Sequence, residues 1–207
     1  MSASTPHRQP DDLLVIDTSR LPPQPWRNGG GSTRELLTWP EGADWRLRVS
    51  LADISRDGPF SAFPGVDRWF AVVQGAGVRL ALPGAPVTVR ADSPPLAFDG
   101  ADAPGCTLLD GPTRDLNLMC HRSAGRGQML RAVADVPWTT DTPYRCLFTT
   151  VGCTLLIDGQ AAAELAPMAL IFSELGAHQA WTLRQTGAPL QAWWMAFSPL
   201  PDAPAAG

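Results

Sequence analysis

The feature that most limits the fold of this chain is the shortness of its apolar runs. β-Rich or alternating segments follow one another along the sequence, and Gly, Pro or Asp stands in nearly every gap between them. No window of about twelve residues or more shows the 3.6-residue apolar period of an amphipathic helix. Short strands separated by turn residues predict an all-β fold, an antiparallel sandwich or barrel, or two of them. Representative runs are LLVID (13–17), WRLRVSLAD (45–53), DRWFAVVQ (67–74), RDLNLMC (114–120) and LQAWWMAF (190–197).

An internal duplication indicates two such units. The order of segments in the first half recurs in the second at an offset of about 75 residues. WFAVVQGAGVRLALPG (69–84) is similar to CLFTTVGCTLLIDGQ (146–160), PPLAFDG (94–100) to MALIFSE (168–174), and DLNLMC (115–120) to LQAWWMAF (190–197). We therefore predict an N-terminal barrel over residues 11–125 and a C-terminal barrel over 126–200, with mobile tails at 1–10 and 201–207.

Composition excludes several classes of function. The chain has sixteen arginines and no lysine, which removes Schiff-base and pyridoxal-phosphate chemistry and a Walker-type nucleotide site. Its net charge is −4 with acids and arginines interspersed, so we expect no nucleic-acid partner. The N-terminus, MSASTPHRQPDD, has no apolar h-region, and the longest apolar stretch covers about eight residues, so we expect neither a signal peptide nor a membrane span. These features, with four cysteines and no C-x-x-C pair, favour a cytoplasmic protein without a membrane partner.

Metal sites and covalent hydrolysis have little support. The three histidines, His7, His121 and His178, are scattered, and no H-x-H followed by Glu occurs. No G-x-S-x-G elbow is present, and His7 lies in a predicted tail. We expect neither a metal nor a cofactor.

The segment WRNGGGSTREL (26–36) is the first polar cluster. Its three glycines, Gly29, Gly30 and Gly31, allow positive φ and close approach, and their N–H groups can line an anion-binding concavity. Asn28, one of only two asparagines in the chain, stands directly before them. The alternative interpretation is a flexible loop before a strand that carries Thr33 and Glu35 on one face.

Two strands carry the other polar clusters. In 45–53, period-two alternation places Arg46, Arg48, Ser50 and Ala52 on the face opposite Trp45, Leu47, Val49 and Leu51. An arginine inside a barrel would bind a carboxylate through two hydrogen bonds, whereas on an outer face it would only be solvated. In 114–120, Asp115, Asn117 and Met119 share a face, which indicates either a ligand site or a stabilising network with nearby arginines.

Between these strands lies DGPFSAFPG (57–65), followed by Arg68 at the start of the next strand. We expect Phe60 and Phe63 to plug one end of the barrel.

Taken in order, the motifs W-R-N-G-G-G-x-T-R-E, R-x-S-x-A, D-G-P-F-S-x-F-P-G-x-x-R and D-L-N-x-M resemble the HutD/Ves family. The resemblance covers residues 13–122 strongly and the second half by strand pattern. It implies a bicupin, two cupin β-barrels in one chain, and an accessory or regulatory role in bacterial histidine utilisation. The family's shared polar residues fall on Asn28, Thr33, Glu35, Arg48, Ser50, Arg68, Asp115 and Asn117.

The chain departs from the family pattern in one place. Relatives usually continue D-x-N-x-M-T-R, whereas this chain has Cys120, His121 and Arg122, which leaves the role of these three residues open. Cupins often bind a metal through histidines near the first motif, and here Ser61, Asp67 and Arg68 stand in that stretch. Metal-dependent cupin chemistry is therefore not transferred to this chain.

Three functions remain as hypotheses. The first is a metal-free bicupin that binds a small carboxylate such as urocanate, formylglutamate or formate. Arg48 and Arg68 would anchor the carboxylate, with the other shared polar residues and the three glycines around it. The second is an enzyme that uses Glu35 or Asp115 as general base. The third is an interaction scaffold or homodimer, formed if the tryptophans of the second half make a surface patch instead of a core: Trp138, Trp181, Trp193 and Trp194.

Overall fold

A computed structural model describes residues 7–8, 13–142, 144–174 and 178–200. The predicted tails, 1–10 and 201–207, lie outside these ranges apart from a strand at His7–Arg8. The described residues are almost entirely strand and loop, with two 3-10 turns at Thr18–Arg20 and Gly100–Asp102. None of the helices in this part of the chain has the length and hydropathy that a membrane span requires.

The described residues form nineteen strands. In chain order they are β1 (His7–Arg8), β2 (Leu14–Asp17), β3 (Gln24–Pro25), β4 (Gly31–Trp39), β5 (Leu47–Ile54), β6 (Gly58–Pro59), β7 (Val66–Gln74), β8 (Val78–Ala81), β9 (Pro86–Val89), β10 (Leu96–Asp99), β11 (Gly105–Leu108), β12 (Thr113–His121), β13 (Gly125–Arg131), β14 (Tyr144–Thr149), β15 (Cys153–Ile157), β16 (Gln160–Leu165), β17 (Ala169–Ser173), β18 (Trp181–Gln185) and β19 (Ala192–Pro199).

The strands pair antiparallel in four sheets. The N-terminal barrel consists of a six-stranded sheet, β10-β7-β12-β5-β4-β3, and a four-stranded sheet, β6-β11-β8-β9. The C-terminal barrel consists of a six-stranded sheet, β1-β2-β17-β14-β19-β13, and a three-stranded sheet, β16-β15-β18. The order β10-β7-β12-β5 recurs as β17-β14-β19-β13, and β9-β8-β11 recurs as β16-β15-β18, so the duplication read from the sequence is present in the topology.

The two six-stranded sheets face each other across the largest hydrophobic core. Alternation sends Leu47, Val49 and Leu51 of β5 into this core, as the sequence pattern indicated. The core also holds Phe148 and Trp193 from the C-terminal sheet. Each six-stranded sheet turns its other face to the smaller sheet of its own barrel, around a separate core.

One strand departs from the predicted division of the chain. Residues 11–125 were expected in the N-terminal barrel, but β2 pairs with β17 and so extends the C-terminal sheet. Local sequence pattern predicts that a segment is a strand, whereas the choice of partner depends on contacts with residues far along the chain.

The tryptophans of the second half do not form a surface patch. Trp181 and Trp193 are fully buried, and Trp194 is nearly so. Trp138 is half-buried and stacks on Trp194 with ring centroids 5.1 Å apart. The alternative of a surface patch is therefore wrong, and these rings pack as core.

Candidate ligand-binding site

A cavity of about 570 Å³ opens into the N-terminal barrel. Strands β5, β7 and β12 supply its inner wall, and the segments around β3 and between β6 and β7 surround its mouth. The cavity is lined by Gln24, Pro25, Trp26, Arg27, Asn28, Thr33, Arg48, Ser50, Ala52, Ile54, Pro59, Phe60, Ser61, Phe63, Arg68, Phe70, Asn117 and Met119. Six of the eleven predicted site residues thus meet here: Asn28, Thr33, Arg48, Ser50, Arg68 and Asn117.

Arg68 is the most unusual group in the wall. Only 5% of the residue is exposed, and its Nη2 donates to Oδ1 of Asn117 at 2.8 Å. Its Nε has no hydrogen-bond partner, and no described carboxylate forms an ion pair with it. The guanidinium instead lies 5.0–5.7 Å from three phenylalanine ring centroids, those of Phe60, Phe63 and Phe98.

Burial, together with a smaller effect from the charge of Arg48, lowers the pKa of Arg68 to about 10. The guanidinium therefore stays charged at neutral pH in a place where water is largely removed. A buried charge without an opposite partner is costly, since neither water nor a counter-ion compensates it. An anion in the cavity would supply that compensation.

Arg48 brings a second guanidinium to the same wall. Its Nε donates to Oε2 of Glu35 at 2.9 Å, and its Nη1 lies 3.7 Å from Sδ of Met119. The side chain of Glu35 is 45% exposed, so this ion pair sits at the edge of the barrel in contact with water. Glu35 holds the outer side of Arg48 and is not itself part of the cavity wall.

The three glycines shape the loop at the mouth without lining the wall. Asn28 Oδ1 accepts a hydrogen bond from the Gly30 N–H at 3.0 Å, which closes a tight turn. A Cβ at Gly31 would lie 2.3 Å from the carbonyl oxygen of Asp53, so only glycine fits there. Trp26 then donates from Nε1 to Thr33 Oγ1 at 2.7 Å. The three glycines fix this loop, and none of them lines the cavity as the anion-concavity hypothesis required.

Asp115 lies deeper in the barrel and is fully buried. Its Oδ2 accepts from Thr113 Oγ1 at 2.8 Å, while its Oδ1 has no partner. Burial raises the pKa of this carboxyl to about 8, against the opposing effect of the Thr113 hydrogen bond. Asp115 is not among the residues that line the cavity, although its cross-strand neighbour Ala52 is.

The sequence analysis missed part of the wall. Met119 follows Asn117 by two residues on the same strand face, so period-two alternation was enough to predict that Met119 lies beside Asn117 in the wall. Phe60 and Phe63, expected to plug the barrel, instead flank Arg68 at the cavity. Arg27 gave no signal beyond its charge.

The three residues that depart from the family pattern have structural positions outside the cavity. Cys120 is buried in the core between the sheets, where burial raises the pKa of its thiol. The His121 ring lies 4.5 Å from that of Trp45. Arg122 forms ion pairs with Asp67, at 3.1 Å, and with Asp99.

The wall does not fit a metal ion. Its described residues include no imidazole, thiol or carboxylate, and no group of three or more such ligands converges elsewhere in the described ranges. The charged groups that the wall offers are guanidinium groups, which bind anions.

A family model described as HutD matches residues 18–190 of the chain. The chain belongs to the HutD family. Among curated relatives, it is 43% identical over 111 residues to an uncharacterised 21.2 kDa protein in the hutC 3' region of Pseudomonas putida, covering 52% of this chain and 57% of that protein. It is 35% identical over 129 residues to protein Ves of Cronobacter sakazakii, covering 62% of this chain and 70% of that protein. The match to the first of these HutD relatives thus spans less than two thirds of its length.

Solved structures confirm the all-β fold with its antiparallel sheets. A conserved protein of unknown function from Pseudomonas aeruginosa superposes with a TM-score of 0.81 at 31% identity, over 91% of this chain and 100% of that one. HutD from Pseudomonas fluorescens, crystallised in a formate condition, gives 0.78 at 23% identity with the same coverage. A formate complex of Lactobacillus farciminis oxalate decarboxylase gives 0.59 at 8% identity over 95% of this chain and 87% of that one, which shows the fold alone.

Proposed function

We propose that this HutD-family protein binds a small carboxylate metabolite in its N-terminal cavity, without a metal, as a cytoplasmic accessory or regulatory component of histidine utilisation. The observation that carries the proposal is Arg68, a buried guanidinium with a free Nε and no carboxylate partner among the described residues. Arg48 adds a second cation to the same wall. The family membership supports the metabolic context.

The chemistry of the cavity suits a small organic acid. Its volume falls within the range of small-molecule sites, and phenyl rings line it beside the guanidinium groups of Arg27, Arg48 and Arg68. Each charge-assisted hydrogen bond contributes about 1.5–3 kcal/mol, so two arginines and a fitted apolar wall are consistent with micromolar affinity. Urocanate and formylglutamate combine a carboxylate with further surface for this wall, and formate tests the carboxylate alone.

Catalysis has weaker support than binding. A general base must reach the ligand, and the described wall offers no titratable group other than arginine. Glu35 is engaged with Arg48 at the barrel edge, and Asp115 lies outside the wall. The binding function therefore needs fewer assumptions than the enzyme alternative.

Titration calorimetry with urocanate, formylglutamate and formate tests the proposal. We expect at least one of them to bind with micromolar affinity, and we expect Arg48→Ala to weaken it by about tenfold or more. Arg46→Ala is the matched control, since Arg46 is exposed and precedes β5 by one residue. The absence of heat with all three acids, or equal affinities in the two variants, would contradict a carboxylate site at Arg48.

A further inference from the structure

The two asparagine side chains of the cavity wall have fixed orientations. Asn28 Oδ1 accepts from the Gly30 N–H at 3.0 Å, and Asn117 Oδ1 accepts from Arg68 Nη2 at 2.8 Å. Only the oxygen of an amide group accepts a hydrogen bond, so each contact determines which way the side-chain amide turns. The Nδ2 of each asparagine forms no hydrogen bond with a described residue. Both asparagines therefore keep N–H donors for a molecule in the cavity.

The other polar groups of the wall also favour donation. Thr33 Oγ1 accepts from Trp26 Nε1, so its O–H remains available to donate. The serine hydroxyls and the exposed amide of Gln24 can turn either way and add no preference. Among the described residues, the wall contains no carboxylate. Three arginines complete this surface of donors and positive charge: Arg27, Arg48 and Arg68.

A free amino acid does not suit such a wall. It carries an ammonium group close to its carboxylate, with three donors and a positive charge. In the cavity this group would lose water and meet guanidinium groups and N–H donors instead of acceptors, which is costly. Glu35 does not provide an acceptor, because it is paired with Arg48 outside the wall. Acylation of the nitrogen removes the charge and introduces a carbonyl oxygen, which accepts hydrogen bonds from such donors.

The two asparagines lie in different parts of the cavity. Asn117 belongs to β12 in the inner wall and is bonded to Arg68, the group proposed to hold the carboxylate. Asn28 belongs to the loop at the mouth, before β4. Its Nδ2 lies toward β6, 4.0 Å from the position that a Cβ at Gly58 would take. Asn28 is therefore placed to meet a second group of a ligand whose carboxylate lies against Arg68.

We infer that the site selects N-acylated amino acids over free amino acids, and that Asn28 determines this choice by donating from Nδ2 to the acyl oxygen. The inference rests on the proposed carboxylate site and narrows the class of acid that this site binds. Arg48 and Arg68 attract both classes through the carboxylate that they share. The choice between them depends on whether the nitrogen substituent accepts or donates hydrogen bonds.

Titration calorimetry at pH 7 with formylglutamate, glutarate and glutamate tests this choice. The three acids have two carboxylates on the same carbon chain, and they carry a formylated nitrogen, no nitrogen and an ammonium group, respectively. We expect formylglutamate to bind about tenfold or more tightly than glutamate, with glutarate between them. Equal affinities for formylglutamate and glutamate would overturn the inference and leave the carboxylate site in place. Absence of heat with all three also overturns it, and the proposed function fails as well when urocanate and formate give no heat.

Asn28→Asp tests the assigned residue. The carboxylate keeps an acceptor for the Gly30 N–H, so the turn is retained, and it replaces the Nδ2 donor by a negatively charged acceptor. The preference for formylglutamate over glutamate should fall by about tenfold or more. Gln128→Glu is the matched control: Gln128 is exposed on β13, and the variant adds the same charge and should keep the wild-type preference. An unchanged preference in Asn28→Asp would remove Asn28 from this role.

Discussion

The two barrels share a strand topology but differ in their interiors. The N-terminal barrel holds a cavity, whereas side chains fill the C-terminal barrel. Strand register aligns them residue by residue. Arg68 faces Met119 and Phe70 faces Asn117 across β7 and β12, while Arg145 faces Ala196 and Leu147 faces Trp194 across β14 and β19. Arg68 therefore corresponds to Arg145, Asn117 to Trp194, and Asp115 to Ala192. Asn117, with its small amide side chain, borders the cavity of the N-terminal barrel. Trp194, at the corresponding position, packs its indole in the core of the C-terminal barrel.

The paired arginines differ in what compensates their charge. Arg145 is fully buried, and its guanidinium donates to the carbonyls of Gln179, at 2.7 Å, and of Thr140 and Thr142, each at 3.4 Å. Two tryptophan rings also lie 5.4 and 5.9 Å from it. Arg68 has one amide partner and a free Nε. The duplication thus kept a buried arginine in both barrels, as structure in one and as a candidate anion site in the other.

The largest expected effect comes from emptying the filled barrel. Trp194→Ala should lower the free energy of unfolding by about 3–5 kcal/mol, because it removes a buried indole from the stack with Trp138 and leaves a void. Denaturant unfolding measures the loss. Asn117→Ala, at the corresponding position, borders a cavity that already exists, so its cost should be smaller. Equal costs at the two positions would contradict the contrast between a filled and a hollow barrel.

The arginine pair gives the second test. Arg145→Met should cost about 2–3 kcal/mol, since several buried carbonyls lose a charged donor. Arg68→Met should be neutral or stabilising without ligand, because it removes an uncompensated buried charge. Thermal unfolding of both variants, compared with the wild type, measures the two changes in stability. A larger loss for Arg68→Met would mean that the protein itself compensates Arg68.

The sequence pattern predicted which segments are strands and which residues share a face more reliably than it predicted contacts between distant strands. Alternation along β5 and β12 placed Arg48, Ser50 and Asn117 on one side, and the structure brings them to one wall. Alternation could not show that Glu35 would turn to Arg48, because this contact depends on the register of β4 and β5 and on the bulge after Glu35. The same limit explains why β2 was expected in the N-terminal barrel, whereas it pairs with β17 of the C-terminal sheet.

Titration of Asp115 is the third test, since its counterpart Ala192 cannot ionise. Between about pH 4 and pH 8 the unfolded chain ionises this carboxyl while the folded chain keeps it protonated, because its pKa rises from 3.8 to about 8. The folded state then binds more protons at Asp115, so the contribution of this group to stability falls through this window by roughly 1.4 kcal/mol per pH unit. Asp115→Asn should lack that decline.

The measurement is the difference in free energy of unfolding between variant and wild type, obtained from urea unfolding at several pH values. Taking this difference cancels the contributions of the titratable groups that the two proteins share. A difference that does not change with pH would mean that Asp115 ionises normally in the fold.

The smallest effect is expected at Glu35, which belongs to β4, a strand without a counterpart in the described part of the C-terminal sheet. Its ion pair with Arg48 is partly exposed, and exposed pairs contribute about 1 kcal/mol or less. Glu35→Gln retains a hydrogen-bond acceptor for Arg48 and removes the charge, so the affinity for the carboxylate should fall by about two- to fivefold in calorimetry. Thr38→Val, farther along β4 opposite Arg48, keeps the ion pair and should leave the affinity unchanged. If Glu35 were a general base, Glu35→Gln would instead abolish a turnover while binding persisted, because the carboxylate would act on the ligand and not through Arg48.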